Sequence, residues 1–255
     1  MTDHVLALGD FDFHYRRHGR GEPLLLLHGM TGTGGDFAHV FDLDALAGDY
    51  ELIVPDLRGH GRSANPAPTL THRQCAADVA ALLDHLGLRQ VRAVGYSFGG
   101  NILLHLATAT PERFEALVTV SSPSYFAASA RAVQRAVTDE SQSEDEWRRL
   151  RALHARGDAQ IRALWRAIRA FADDVDDLAF TPPRLAAISA RMLIVTGDRD
   201  PLAPLDVFVE QRRAIARSSL WVVPGGGHLP IFGAWRTAFV DAARAFLRGD
   251  EARAG

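Results

Sequence analysis

The sequence predicts an α/β protein: a mostly parallel, doubly wound sheet of eight strands carrying one all-helical insertion. Three observations predict it. From Leu24 onward, short strand-like runs alternate with helical stretches, as β-α-β units require. Runs such as Leu24-Leu25-Leu26-Leu27 are apolar without alternation, as befits strands covered on both faces. From Ala127 to about Ala190 the strand signal stops, Ala/Arg/Leu-rich helical sequence takes over, and the alternation then resumes.

Taken in order, Val5–Leu8 and Phe11–His18 flank Gly9-Asp10, a tight hairpin turn. In the second run Phe11, Phe13 and Tyr15 alternate with Asp12, His14 and Arg16, so one face is wet. Leu24–Leu27 leads into His28-Gly29-Met30-Thr31-Gly32, and a helical stretch is predicted from about Phe37 to Ala47. The strand Glu51–Val54 runs into Pro55 and the loop Asp56–Ser63, and Pro66 and Pro68 mark a further loop. Thr69 or Thr71 caps a helix running to Leu86 and stopped by Gly87. Val91–Gly95 and Leu117–Val120 are strands around a helix that opens near Gly100. Within the insertion, Asp139–Glu146 and Asp173–Asp177 read as acidic breaks, and Thr181-Pro182-Pro183 opens a last short helix. Then follow strand Met192–Val195, helix Pro204–Arg217, strand Leu220–Val223, amphipathic helix Trp235–Leu247 and a tail expected to fray from Arg248. The predicted organisation is a core of residues 1–122 and 191–255, with 123–190 inserted as a helical lid over the sheet's C-terminal edge.

Composition narrows the chemistry. All 28 basic residues are arginine, which excludes lysine Schiff bases, lysine aldolases and Walker A loops. A net charge of −3 gives no electrostatic reason to expect nucleic acid or an anionic membrane as partner. The single Cys75 forbids an internal disulfide, and Met1-Thr2-Asp3-His4 does not open a signal peptide. The expectation is a cytoplasmic protein, monomeric or homodimeric, acting on a small molecule without metal or organic cofactor.

Gly95-Tyr96-Ser97-Phe98-Gly99 sits between a strand and a helix, the context that gives G-x-S-x-G its meaning as a nucleophile elbow. A serine hydroxyl needs a base, and the base needs an orienting group. In elbow enzymes these follow in the order Ser, Asp or Glu, His. Only His105, His154 and His228 follow Ser97. His105 lies two turns along the serine's own helix, out of reach. His154 is in the insertion with no acid-bearing strand end before it. His228, after the last strand in Pro224-Gly225-Gly226-Gly227-His228, is the base by elimination. The acid lies in Gly197-Asp198-Arg199-Asp200-Pro201, where spacing does not separate Asp198 from Asp200. Oxyanion donors are the N–H of Phe98, after the serine, and of Met30 in the glycine-rich loop after Leu27. Gly32–Phe37 only partly imitates a dinucleotide loop, since Phe37 stands where the last glycine belongs.

With these residues on the page, His28-Gly29, Asp56–Ser63, Gly95–Gly100, Gly197–Asp200 and Gly227-His228 together resemble the α/β-hydrolase fold superfamily. The resemblance is to its small, helical-lidded serine esterase and lactonase-like members. It implies that the acid is Asp200, so that Ser97, Asp200 and His228 form a triad. It also implies that Asp56–Ser63 is structural, with Arg58 and His60 satisfied internally, and His60 with Asp56 is expected as a local pair. Serine at the elbow departs from the haloalkane dehalogenase and epoxide hydrolase branches, which use aspartate. His28-Gly29-Met30-Thr31 departs from the His-Gly-Gly-Pro-Gly loop of proline iminopeptidases.

The expected pocket has a floor of Gly29, Met30, Tyr96 and Phe98 and an aromatic roof of Tyr125, Phe126, Trp147, Trp165 and Phe171. Arg148, Arg149, Arg162 and Arg166 are either substrate-reading cations or a solvated face paired with acids such as Glu144 and Glu146. Three functions fit: hydrolysis of a carboxylic ester or lactone, C–C hydrolysis of a diketone or cofactor-free perhydrolysis by the same triad, and a ligand receptor on a hydrolase scaffold.

Overall fold

In a computed structural model, which describes residues 1–250, eight strands form one sheet in the order β1-β2-β4-β3-β5-β6-β7-β8. They are β1 (Thr2–Leu8), β2 (Phe11–His18), β3 (Glu22–Leu27), β4 (Tyr50–Pro55), β5 (Val91–Tyr96), β6 (Phe114–Val120), β7 (Arg191–Gly197) and β8 (Ser218–Val223). The β1–β2 and β2–β4 pairs are antiparallel and all others parallel.

The leucine run of β3 explains the two layers. Leu24 and Leu26 point into one apolar cluster, Leu25 and Leu27 into the other, and all four are fully buried. A strand's side chains alternate between faces, so a strand covered on both sides must be apolar at every position. Each such leucine contributes about 1.5–3 kcal/mol of burial. One face is covered by α2 (His72–His85), α3 (Phe98–Ala109) and α8 (Leu205–Ala214). The other is covered by α1 (Leu43–Ala47) and α9 (Arg236–Arg248), with Phe37, Phe41, Phe239 and Phe246 in its core.

Local signals set the helix boundaries. Thr71, not Thr69, caps α2 by accepting the Gln74 N–H, and Gly87 takes the left-handed conformation just past its end. The single helical stretch expected over 37–47 is divided: a 3₁₀ turn spans Gly34–His39, and α1 begins only at Leu43. Asp42 makes the division, its carboxylate accepting the N–H groups of Asp44 and Ala45. The acidic stretch Asp139–Glu146 is partly helical, because Ser143 caps a helix opening on Glu144. The tail beyond residue 250 lies outside the described residues.

Between β6 and β7 the chain inserts α4 (Ala128–Arg135), α5 (Glu144–Leu153), α6 (Gly157–Phe171) and α7 (Pro182–Leu185). Both α4 and α5 pack on α6, whereas α7 packs on α3 and α8. Among the described residues no helix is long and apolar enough to cross a membrane.

The sheet order reverses about β3: β4 pairs on one side of it and β5 on the other. Ligands of open α/β sheets bind outside the carboxyl ends of the strands at such a reversal. Here those ends are Leu27, followed by His28-Gly29-Met30, and Tyr96, followed by Ser97.

Candidate active site

Ser97 joins β5 to α3 with φ 49° and ψ −120°, a conformation that lifts its side chain off the sheet end. Gly99 is required by the tightness of this turn. A Cβ there would collide with the carbonyl oxygen of Leu27, so only glycine lets α3 start against the end of β3. Thr31, Ser97 and Ser121 are the three non-glycine residues with positive φ among those described. Ser97 and Ser121 line the same cavity, and Thr31 follows its wall residue Met30. Backbone strain is concentrated around that space.

The structure brings Ser97, His228 and Asp200 together. Ser97 Oγ–H donates to His228 Nε2 at 2.9 Å, and His228 Nδ1–H donates to Asp200 Oδ2 at 2.9 Å and Oδ1 at 3.1 Å. The Asp200 carboxylate is wholly enclosed, and Oδ1 also accepts the Leu202 N–H at 2.8 Å. Asp198, two residues earlier, is exposed. Of the three glycines before His228, Gly225 takes the left-handed conformation with φ 68° and Gly226 is required by close approach. Gly226 lies so tightly against Gly197 that a Cβ on the latter would strike the Gly226 carbonyl, and the Arg199 N–H donates to that carbonyl at 2.9 Å. The loops carrying acid and base are thus held to each other.

Met30 and Phe98 flank the serine. Phe98 is the first residue of α3, so its N–H has no helical acceptor one turn back. The Met30 N–H has no acceptor among the described residues. A Cβ on Gly29 would lie 3.4 Å from Ser97 Cβ, which measures how closely the Met30 loop approaches the nucleophile.

Three buried histidines hold that loop. His28 Nδ1–H donates to the Gly29 carbonyl while Nε2 accepts the Leu57 N–H. His60 Nε2 accepts the Thr31 N–H while Nδ1–H donates to the Arg58 carbonyl. His154 Nε2–H donates to the Thr31 carbonyl at 3.2 Å, and Nδ1 accepts the Gly61 N–H at 2.9 Å. Each ring uses one nitrogen as donor and the other as acceptor, which only a neutral imidazole can do. Burial lowers all three from the ordinary histidine value, His154 to about 4. His154, set aside in the sequence as a poor base, is therefore a brace between the insertion and the loop beside Ser97. The expected His60–Asp56 pair does not form. Asp56 accepts the N–H groups of Gly34 and Arg62 instead, because the turn at Gly59–Gly61 carries the His60 ring towards Thr31. Arg58 is satisfied as expected, by Asp78 at 2.6 and 2.7 Å.

A cavity of about 260 Å³ adjoins the serine. Its walls include Gly29, Met30, Tyr96, Phe98, Phe126, Phe171 and His228, together with His72, Asn101, Val133, Gln134, Val137 and Ile168. Much of the expected roof is elsewhere. The Trp147 and Trp165 rings meet edge to face at 4.5 Å between α5 and α6, with the Arg151 and Arg162 guanidiniums over Trp147. They pack the two helices together and do not line the cavity. Tyr125 also stays out of it, 37% exposed and bridged to Ala179. The true wall on that side is Val133 with Val137 and Ile168 with Phe171, whose spacings of four and three residues are the available sequence signal.

Of the arginines considered, Arg148, Arg149 and Arg162 pair with Asp145, Glu146 and Asp139. None of the four arginines lines this cavity. A second cavity of about 390 Å³ shares Met30, Tyr96 and Leu229 with the first and adds Thr31, Asp36, Arg149 and Phe232. Tyr96 separates the two, its hydroxyl donating to Asp36 at 2.9 Å. No group of three or more His, Cys, Asp or Glu among the described residues is arranged to hold a metal ion.

Comparison with known proteins agrees with this fold. A family described as alpha/beta hydrolase fold matches residues 22–159. A 2-hydroxymuconate semialdehyde hydrolase from Pseudomonas sp. strain CF600 is 31% identical over 233 residues, covering 82% of this chain and 81% of that protein. A soluble epoxide hydrolase from Corynebacterium sp. strain C12 is 36% identical over 107 residues, 42% of this chain; the match spans only 37% of that protein's length. In three dimensions a thermophilic esterase from Thermogutta terrifontis superposes with a TM-score of 0.76 at 22% identity, over 98% of this chain and 99% of that one.

Proposed function

The chain belongs to the α/β-hydrolase fold family, and from that premise we propose that it is a serine hydrolase of carboxylic esters or lactones. The observation that carries this reading is the hydrogen-bonded order Ser97–His228–Asp200 beside an apolar cavity. Ser97 Oγ attacks the substrate carbonyl as His228 Nε2 takes its proton, and Asp200 steadies the imidazolium that results. The tetrahedral oxyanion rests on the N–H groups of Met30 and Phe98, each worth about 10²–10³ in rate. His228 returns the proton to the leaving alcohol, then activates the water that releases the acid. The acyl group lies in the 260 Å³ cavity and the alcohol in the 390 Å³ space beyond Tyr96. At about 30 Å³ per water-sized group, the first holds a small acyl chain. Residues 123–190 act as the lid, supplying Phe126, Ile168 and Phe171 to the acyl wall.

A second reading, C–C hydrolysis of a diketone by the same residues, is favoured by the long match to the semialdehyde hydrolase. The test is steady-state kinetics of the purified protein and Ser97→Ala on p-nitrophenyl ester, lactone and diketone panels. Ser97-dependent turnover of esters or lactones supports the first reading; turnover confined to diketones replaces it with the second.

A further inference from the structure

A second histidine–aspartate pair faces the same cavity. His72, the first residue of α2, is 1% exposed, and its Nδ1–H donates to Asp177 Oδ2 at 2.7 Å. Asp177 comes from the insertion, between α6 and α7, and is 105 residues away in the chain. Its two oxygens also accept the N–H groups of His72 and Arg73, at 2.6 and 3.0 Å. Burial pushes this carboxyl up, but the bonds from the His72 ring and the two backbone N–H groups outweigh it and hold Asp177 at about 2. A carboxylate can only accept, so the proton on His72 is fixed at Nδ1 and Nε2 is left for other use.

That nitrogen has no hydrogen-bond partner among the described residues, and it is not sealed off. The enclosed unpartnered atoms include Nε2 of His105, whose ring lies 6.4 Å from that of His72, but not His72 Nε2. His72 lines the cavity of Ser97, its ring 4.7 Å from both Phe98 and Phe171 and 5.8 Å from Phe126. An aromatic cage with one aimed polar atom is how apolar pockets fix a ligand's orientation. Further along the same wall Gln134 is 8% exposed and its Oε1 also lacks a partner among the described residues.

We propose that His72, held by Asp177, is a specificity residue that binds a hydroxyl on the acyl part of the substrate, so that the preferred substrates are esters of hydroxy acids, or lactones that carry a further free hydroxyl. A hydroxyl suits this nitrogen in either state, donating to the neutral imidazole and accepting from the imidazolium. The proposal rests on the serine-hydrolase reading for its chemistry, but not for the binding of a hydroxy acid itself.

Two measurements separate the two claims. The first is kcat/KM on p-nitrophenyl esters of straight-chain acids, plain and hydroxylated at successive carbons, for the wild type and His72→Phe. The wild type is expected to favour one hydroxylated ester over its plain counterpart by at least tenfold, and His72→Phe to bring that ratio to about one. A purely structural His72 would lower both rates together and keep the ratio. The second is calorimetric binding of the corresponding free acids to Ser97→Ala, with at least tenfold tighter binding expected for the favoured hydroxy acid. A ratio near one throughout the wild-type series, or one unchanged in His72→Phe, overturns the proposal. If no ester is hydrolysed, the activity reading fails and calorimetry decides this one: equal affinities refute it, and a hydroxyl preference upholds it.

Discussion

Replacing His154 by glutamine removes a titrating group from the contact between the insertion and the loop beside the nucleophile. In the folded chain burial holds His154 at about 4, against an ordinary value of 6.5. Above pH 6.5 the imidazole is neutral whether the chain is folded or not, and the full contribution of this buried neutral ring is present. As pH falls below 6.5, the unfolded chain takes up the proton first, so stability drops by about 1.4 kcal/mol per pH unit until about pH 4. The group thus withdraws about 3 kcal/mol across that window, an upper limit since partial solvent access reduces it. Burial lowers His28 and His60 too, so they add to the acid loss and leave a residual slope in the variant. Urea unfolding at steps from pH 7.5 to 4, extrapolated to water, measures this. The expected result is a shallower acid slope for His154→Gln, the gap to wild type closing by up to about 3 kcal/mol towards pH 4. Because His154 Nε2–H donates to the Thr31 carbonyl, next to Met30, kcat at pH 7.5 is also expected to fall about tenfold. Stability curves that run parallel across the whole range would refute this account of His154.

Other substitutions test the site piece by piece. Asp200→Asn, which lets the His228 ring adopt the wrong tautomer, is expected to lower kcat by about 10³–10⁴, while exposed Asp198→Asn changes it little; steady-state kinetics on one ester ranks them. Trp165→Ala is expected to cost about 3–5 kcal/mol in urea unfolding yet leave the acyl-length profile unshifted, because Trp165 packs on Trp147 and not on the cavity. Phe171→Ala opens the cavity wall and is expected to move that profile to longer chains, read from kcat/KM along a series of esters.

The pieces legible in the sequence are those whose signal is local. The leucines of β3 announce a two-faced strand, and Ser97 between a strand and a helix announces the elbow. Asp198 and Asp200 share one turn, and spacing did not separate them; the enclosure of Asp200 and its bonds to His228 and Leu202 do. The pocket roof is not legible in the sequence for a different reason. Periodicity gives α5 and α6 an apolar face each but does not say which neighbour that face meets, and Trp147 and Trp165 meet each other. His154 and His72 were opaque because their partners, Gly61 and Asp177, lie 93 and 105 residues away, and nothing in the chain near either histidine marks them. Asp42 shows the smaller kind of miss, a cap hidden inside a stretch read as one helix.

The central claim is that the Ser97 hydroxyl is made nucleophilic by His228 and Asp200. Its most direct test is labelling with a fluorophosphonate, followed by intact mass and peptide mapping, on the wild type, Ser97→Ala and His228→Gln. One adduct on the Ser97 peptide, absent from Ser97→Ala and formed at least 10³-fold more slowly in His228→Gln, is the predicted result. A wild-type protein that takes up no label, or takes it up on another residue, would contradict it.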